Sequence, residues 1–472
     1  MLQKPDELRH MVLDAGQSHV FDWWDDLNSE ARQQLVDQLK SIDFEWVKQA
    51  RDRILSPVQT SQAPPQLSPV TPIPIPRTQE ALRQAQEAKE RGEAIIKEGK
   101  MAAFVVAGGQ GTRLGYPGPK GEFPIGPISQ KPFFQLFAEK IIVSSRKFNV
   151  TIPWIIMTSE ATHDETVAFF KKHDFFYLNP DDCFFVQQGM LPSLDEHGRL
   201  VLDSKHHVHM SPNGHGGTFS ALSDSGVLAE LESRGIRTLS YFQVDNPLVR
   251  IIDPVFIGYH VQQNSKMSSK MVRKAYAEEK VGILGLLNGK LKVIEYSNMT
   301  DDEIHLRRPD GSLQYDAANI AIHLIETEFV HTIVTNKISL PYHMAHKAVP
   351  ILDHNGLVVK PNKPNAYKFE MFVFDALSYQ ETSVIMEVNR HEEFSPVKNK
   401  QGKDSPQTAR ADMIRYFGNW LERAGYTLPK DSEGHITIPI EIGPFYADNQ
   451  IDFLNKVPKN MSISQSIYLD EK

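Results

Sequence analysis

The chain reads as an α/β protein: a central, mostly parallel sheet with helices on both faces, plus a helical N-terminal region and a small C-terminal domain. Two observations predict this. Short apolar runs such as AAFVVA (102–107), WIIMTS (154–159), CFFVQQ (183–188) and LSYFQVD (239–245) suit strands buried on both faces. Between them lie helical patterns such as KPFFQLFAEKIIVSS and HDETVAFFKKH. Strands alternating with helices imply a largely parallel sheet, whose ligands sit at the strands' carboxyl ends.

At 472 residues the chain is too long for one comfortable core, and its texture changes near residues 99 and 400. In the helical region 1–99, Phe21, Trp24, Leu27, Ala31, Leu35 and Leu39 recur at three- and four-residue steps, the period of one helix face. Asn28 or Ser29, followed by Glu30, marks a helix start. The segment SPVQTSQAPPQLSPVTPIPIPR, residues 56–77, has too many prolines for a helix interior or a central strand and predicts an extended strap. Helix returns over 78–99. Residues 100–400 carry the α/β texture. Residues 401–472 begin with a helical stretch containing Tyr416, Trp420 and Leu421 and finish with the β-like ITIPIEIGPFYADN, a small C-terminal domain.

Composition excludes some functions. Hydrophobic residues make up 40% and charged residues 23%, an ordinary globular balance. The net charge of −8 is spread along the chain, whereas a nucleic-acid binder normally carries a basic face. An anionic ligand would therefore be held by a few placed cations and backbone amides. Cys183 is the only cysteine, so an intramolecular disulfide and a multi-cysteine zinc site are excluded. The start MLQKPDELRHMVLDAG puts charges where a signal peptide needs an apolar core. No stretch approaches the roughly 18–20 apolar residues of a membrane span, so the expected compartment is the cytoplasm, with no membrane partner.

The densest signal is AGGQGTRLGYPGPKGEFPIG, Ala107 to Gly126. Glycines at 108, 109 and 111 directly after a buried strand let backbone N–H groups close on phosphate oxygens or a flat base. Arg113 and Lys120 add fixed positive charge. A P-loop is excluded because Lys120 is followed by Gly121 and Glu122. A dinucleotide fingerprint is excluded because Leu114 holds the third glycine position and Pro117 and Pro119 block a helix. A bare turn would leave Arg113 and Lys120 unexplained.

This string resembles the signature loop of the UDP-sugar pyrophosphorylases, in particular the eukaryotic-type UDP-N-acetylglucosamine pyrophosphorylases. The resemblance continues in order through FFVQQGMLP (184–192), MSPNGHGG (210–217), VDNPL (244–248), VGILG (281–285) with VIEYS (293–297), DAANIA (316–321), KPNKPNAYKFE (360–370) and EEFSPVKN (392–399). It spans roughly residues 20 to 425. The resemblance implies a Rossmann-like, glycosyltransferase-A-like nucleotidyltransferase that joins UTP and a sugar 1-phosphate into a UDP-sugar and pyrophosphate. The expected sugar is N-acetylglucosamine 1-phosphate.

Roles follow residue by residue from the resemblance. Ala107, Gly108, Gly109 and Gln110 form the nucleotide loop, and Gln188 with Gly214 helps select uracil. Asp245, after the run LSYFQV, is the expected ligand for Mg²⁺ (or Mn²⁺), an ion that needs only one or two carboxylates beside phosphate oxygens and water. Lys120 and Lys368 lie near the nucleotide phosphates and Lys398 near the sugar phosphate. Arg113, Lys120 and Lys398 are the expected catalytic cations. Gly282, Glu295 and Asn319 line the sugar, together with His215.

The chain departs from the N-acetylglucosamine pattern at His215, where Asn is usual, and at Asp316 and Ala318, which replace Asn and Gly. GHG is reminiscent of the UDP-glucose and broad-specificity branches. Two histidine groups suggest no metal chemistry. His207 and His209 would share one face of a strand without an evident third ligand. His343 and His346 would share a helix face without the Glu of a metalloprotease motif.

Overall fold

The computed structural model describes residues 6–56, 66–459, 461, 463 and 465–471. The chain divides into two compact units, each assembled from separate stretches.

The first unit comprises 1–65, 188–217 and 340–373. Its helices are α1 (Asp6–Asp14), α2 (Ser29–Ser41) and α3 (Phe44–Leu55). Asn28 caps α2, its side chain accepting from the Ala31 N–H, as the sequence predicts. Leu8, Val12, Trp24, Leu35, Leu39, Trp46 and Val47 are buried together. They form one core with Leu194 and Phe369, which belong to a three-stranded antiparallel sheet of Leu194–Asp195, Ala366–Met371 and Tyr342–Lys347. Trp46 meets the ring of Phe369 edge-on at 5.0 Å. The helices thus share their core with strands that lie far along the chain.

The second unit comprises 66–187, 218–339 and 374–472. It holds a ten-stranded sheet. Its strands are β1 (Leu67–Pro69), β2 (Met101–Val106), β3 (Trp154–Thr158), β4 (Cys183–Gln187) and β5 (Thr238–Gln243). Further along come β6 (Met267–Arg273), β7 (Ile283–Leu287), β8 (Lys290–Ile294), β9 (Ala317–Glu326) and β10 (Ile385–Glu387). The main order is β1-β7-β9-β5-β2-β3-β4, with β6 joining β9 to β10 and β8 pairing β7. Seven strands run one way; β1, β8 and β9 oppose them. Every residue of β2 and β3 is buried, so both faces of the sheet centre are covered. All four apolar runs named above form these parallel strands.

The proline-rich strap lies partly outside the described residues, at 57–65. Beyond them it adds β1, antiparallel to β7, and Ile73 exchanges backbone hydrogen bonds with Ile385 and Glu387. Pro69 ends a three-residue strand, where a missing N–H costs least.

The linear division at 99 and 400 differs from these units. The N-terminal helices need Leu194 and Phe369 to complete their core. Residues after 400 bury Met413, Trp420, Leu421, Ile440 and Phe453 in the same core as the sheet. Two further differences concern histidines. His343 and His346 lie on a strand, Tyr342–Lys347, so three residues apart they point to opposite faces rather than sharing a helix face. His207 pairs with Asp203 at 2.7 Å and His209 with the Ser193 hydroxyl at 3.0 Å. Among the described residues no three metal-ligating side chains come together.

Candidate active site

Three segments meet where β2 and β5 end. Ala107 is buried, whereas Gly109 and Gln110 emerge exposed. The loop closes on itself: Gly111 N–H donates to the Gly118 carbonyl at 2.8 Å, and Lys120 N–H to that of Gly109 at 3.0 Å. The Ser159 hydroxyl holds the Gly108 carbonyl at 2.8 Å. The loop is therefore a built object. A Cβ placed on Gly109 meets no described atom within 4 Å, so packing does not demand this glycine.

Lys120 and Asp245 face one another across the loop's edge. Lys120 Nζ lies 3.8 Å from Asp245 Oδ2, with side chains 17% and 19% exposed. That is ion-pair range but beyond hydrogen-bond length. Asp245 follows β5, and its carbonyl accepts the Val397 N–H at 2.9 Å. This bond brings the segment bearing Lys398, itself exposed, beside Asp245. Arg113 is exposed on the loop. Lys400, which sequence reasoning missed, reaches it too: its Nζ lies 3.3 Å from a Cβ built on Gly115. Its partner loop is far away in sequence, so only the fold reveals it.

Three of the expected sugar residues, Gly282, Glu295 and Asn319, also cluster. Asn319 N–H donates to the Gly282 carbonyl at 2.9 Å, and a Cβ on Gly282 would lie 3.3 Å from Glu295 Oε1. Because β9 runs antiparallel to β5, its first residues lie at the edge where β5 ends.

Gln188, Gly214, His215 and Lys368 belong to the first unit. Gly214 has φ +80°, and a Cβ there would sit 2.6 Å from the Met371 carbonyl oxygen. His215 Nδ1 accepts the Val373 N–H at 3.1 Å, and its ring stacks on Phe372. Burial first, then His343, pushes the His215 pKa down to about 4. The ring is neutral near pH 7 with its proton on Nε2. Burial also lowers the pKa of Lys368, with Lys347 adding to the effect and Glu370 opposing it.

Asp316, one of the departures from the expected pattern, is nearly buried. It accepts from Arg273 at 2.9 Å and from Arg308 at 3.0 Å, forming the centre of an ion cluster. The same loop that carries Lys120 carries Glu122, which the sequence did not single out. Burial first, then Glu165, raises its pKa to about 7.

A family model described as UTP–glucose-1-phosphate uridylyltransferase matches residues 57–405. The chain is 38% identical over 435 residues to a Homo sapiens UDP-N-acetylhexosamine pyrophosphorylase-like protein 1, covering 89% of this chain and 86% of the relative. It is 35% identical over 463 residues to UDP-N-acetylglucosamine diphosphorylase 2 of Arabidopsis thaliana, covering 93% and 89%. A crystal structure from Entamoeba histolytica, described as a UDP-N-acetylglucosamine pyrophosphorylase, superimposes with a TM-score of 0.74 at 32% identity, covering 86% of this chain and 99% of that one. The fold and these matches define a nucleotidyltransferase. The chain belongs to the UTP–glucose-1-phosphate uridylyltransferase family, the UDP-sugar pyrophosphorylases, enzymes that act on a nucleotide and a sugar phosphate.

Proposed function

We propose that the chain transfers the uridylyl group of UTP to N-acetylglucosamine 1-phosphate, with Mg²⁺ (or Mn²⁺) on Asp245. The observation that carries this reading is the tie between Asp245 and the Lys398 segment through the Val397 N–H at 2.9 Å. It gathers a carboxylate and cations beside the glycine loop. Asp245 fits an ion that takes one carboxylate from the chain and fills its shell with phosphate oxygens and water. When bound, such an ion neutralises charge on the triphosphate.

A phosphate oxygen of the sugar 1-phosphate attacks the α-phosphorus of UTP in line. A P–O bond forms there as the bond to the β-phosphate's bridging oxygen breaks, and pyrophosphate leaves. Both reactants are anions, so Arg113, Lys120 and Lys398 act by offsetting their repulsion and holding them aligned. The backbone of 107–110 meets the nucleotide, with Gln188 and Gly214 on uracil and Lys368 on phosphate. Gly282, Glu295 and Asn319 meet the sugar hydroxyls. No side-chain nucleophile is required.

The acetylated sugar is supported by the relatives named for N-acetylhexosamine and N-acetylglucosamine substrates. Two departures from that branch have other physical accounts. Asp316 is held by two arginines, and His215 accepts a backbone N–H. The GHG at 214–216 favours a second reading, a UDP-glucose or broad-specificity UDP-sugar pyrophosphorylase. A silent nucleotide-sugar-binding homologue is the third. Retention of Arg113, Lys120, Asp245, Lys368 and Lys398 argues against it. The protein is proposed to work in the cytoplasm; no described helix is long and apolar enough to cross a membrane.

The test supplies UTP and Mg²⁺ with N-acetylglucosamine 1-phosphate or glucose 1-phosphate and follows pyrophosphate release. Faster release with the first supports the reading. Faster release with glucose 1-phosphate moves the enzyme to the second. Release with neither sugar, despite UTP binding, shifts weight to another sugar phosphate or to the silent homologue.

A further inference from the structure

We infer that Asn246 is a positioning residue that fixes Lys398 relative to the Asp245 carboxylate. The inference rests on the proposed roles of those two residues. Asn246 is 4% exposed, and both ends of its amide are used. Its Nδ2 donates to the Glu393 carbonyl at 2.7 Å. Its Oδ1 accepts the N–H of Ser395 at 3.1 Å and of Leu248 at 3.3 Å. One residue earlier, the Asp245 carbonyl accepts from Val397. Asn246 and Asp245 together therefore grip residues 393, 395 and 397, at every second position, as a paired strand would. Lys398 is the next residue.

The far side of this segment is anchored too. Glu393 receives Lys270, a fully buried lysine, at 2.6 Å, and Lys270 also donates to Asp253 at 2.6 Å. The Ser395 hydroxyl donates to Asp412 at 2.6 Å, and the N–H groups of Lys398 and Asn399 both donate to the Asp404 carbonyl, at 2.7 and 2.9 Å. These anchors hold the segment to the core. Of its side-chain partners, Asn246 is the one covalently continuous with Asp245, so it couples the segment to the site. A buried amide with donor and acceptor both engaged is costly to replace, because the groups left behind lose their partners in a dry setting. The substrates are not touched by Asn246; it acts through Lys398.

The experiment uses the full chain with Asn246→Ala, and Asn246→Asp as a second variant that keeps the volume and the acceptor but replaces the donor to the Glu393 carbonyl with a buried charge. UTP affinity by calorimetry is expected to stay within about threefold while turnover falls roughly 30-fold or more, the split of a defect felt in the transition state. Backbone amides of Ser395 and Val397 should exchange with deuterium at least about tenfold faster, since exchange follows local opening. Adding Lys398→Ala should cost little more than Lys398→Ala alone, because the two act as one unit. Turnover within about twofold of the unaltered chain, fully additive losses, or unchanged exchange would each overturn the inference. Asp245→Ala separates the two levels. If it keeps normal turnover, the underlying reading falls and the inference with it. If it is inactive while both Asn246 variants work normally, only the positioning role falls.

Discussion

Each unit carries a glycine-rich loop, and the glycines of the two loops exist for different reasons. In Asn213–Gly217 of the first unit, the protein's own packing demands them. Gly214 sits at φ +80° beneath the Met371 carbonyl, and a Cβ on Gly216 would lie 2.6 Å from the Met371 carbonyl carbon. In the loop after β2, Gly109 has open space around it. A glycine that neither backbone conformation nor packing requires is one whose missing side chain leaves room for something else to approach. The resemblance assigns both loops to the nucleotide; the geometry shows one glycine enclosed by the protein's own backbone and one with open space around it.

That distinction can be broken by substitution. Gly214→Ala should destabilise the protein by about 2–4 kcal/mol, through a left-handed residue and a clash with backbone that cannot move away. A denaturant melt reads this directly. Gly109→Ala should leave the melt within about 0.5 kcal/mol of the parent and instead raise the KM for UTP roughly tenfold, a loss of binding contact without a loss of fold. A Gly109 variant that unfolds, or a Gly214 variant that melts normally, would erase the contrast.

The sequence made one side of this contrast legible and hid the other. Buried parallel strands announce themselves as apolar runs, and all four named runs are strands of the sheet. Asn28 as a cap and the helix from Gln79 to Lys97 were equally readable. What stayed hidden depends on contacts between distant segments. Nothing around Leu194 or Phe369 says that they complete the core of the N-terminal helices. HMAH reads as helix because two histidines three residues apart fit that period, yet the strand is fixed by pairing with Ala366–Met371. The motifs named the expected site residues, but the bond from Val397 to Asp245 and the grip of Asn246 belong to the fold. Lys400 and Glu122 stayed unnoticed because each acquires its meaning from a neighbour far off in sequence.

The smallest expected effect sets the two loops against each other by pH. His215 is held neutral, with a pKa of about 4 against an ordinary 6.5. The unfolded chain takes the proton first, so the stability from this ring is full above pH 6.5 and declines as pH falls towards 4. Glu122 is the reverse. Its Oε1 is buried with no hydrogen-bond partner among the described residues. Burial and the Glu165 carboxylate raise its pKa to about 7 from 4.5, with Lys172 opposing them. The folded chain keeps a proton that the unfolded chain releases, so this contribution is full below pH 4.5 and is lost as pH rises through 7. Glu122→Gln should therefore flatten the decline in stability between pH 4.5 and 7, and His215→Asn the decline between 6.5 and 4. Both effects should be on the order of 1 kcal/mol, because partial exposure screens the charges. Thermal melts of the parent and both variants across pH 4 to 8 provide the check. Equal slopes in all three would mean that neither group titrates as its surroundings require. Opposite changes of slope would show that acid removes stability through His215 in the first unit while it adds stability through Glu122 in the second.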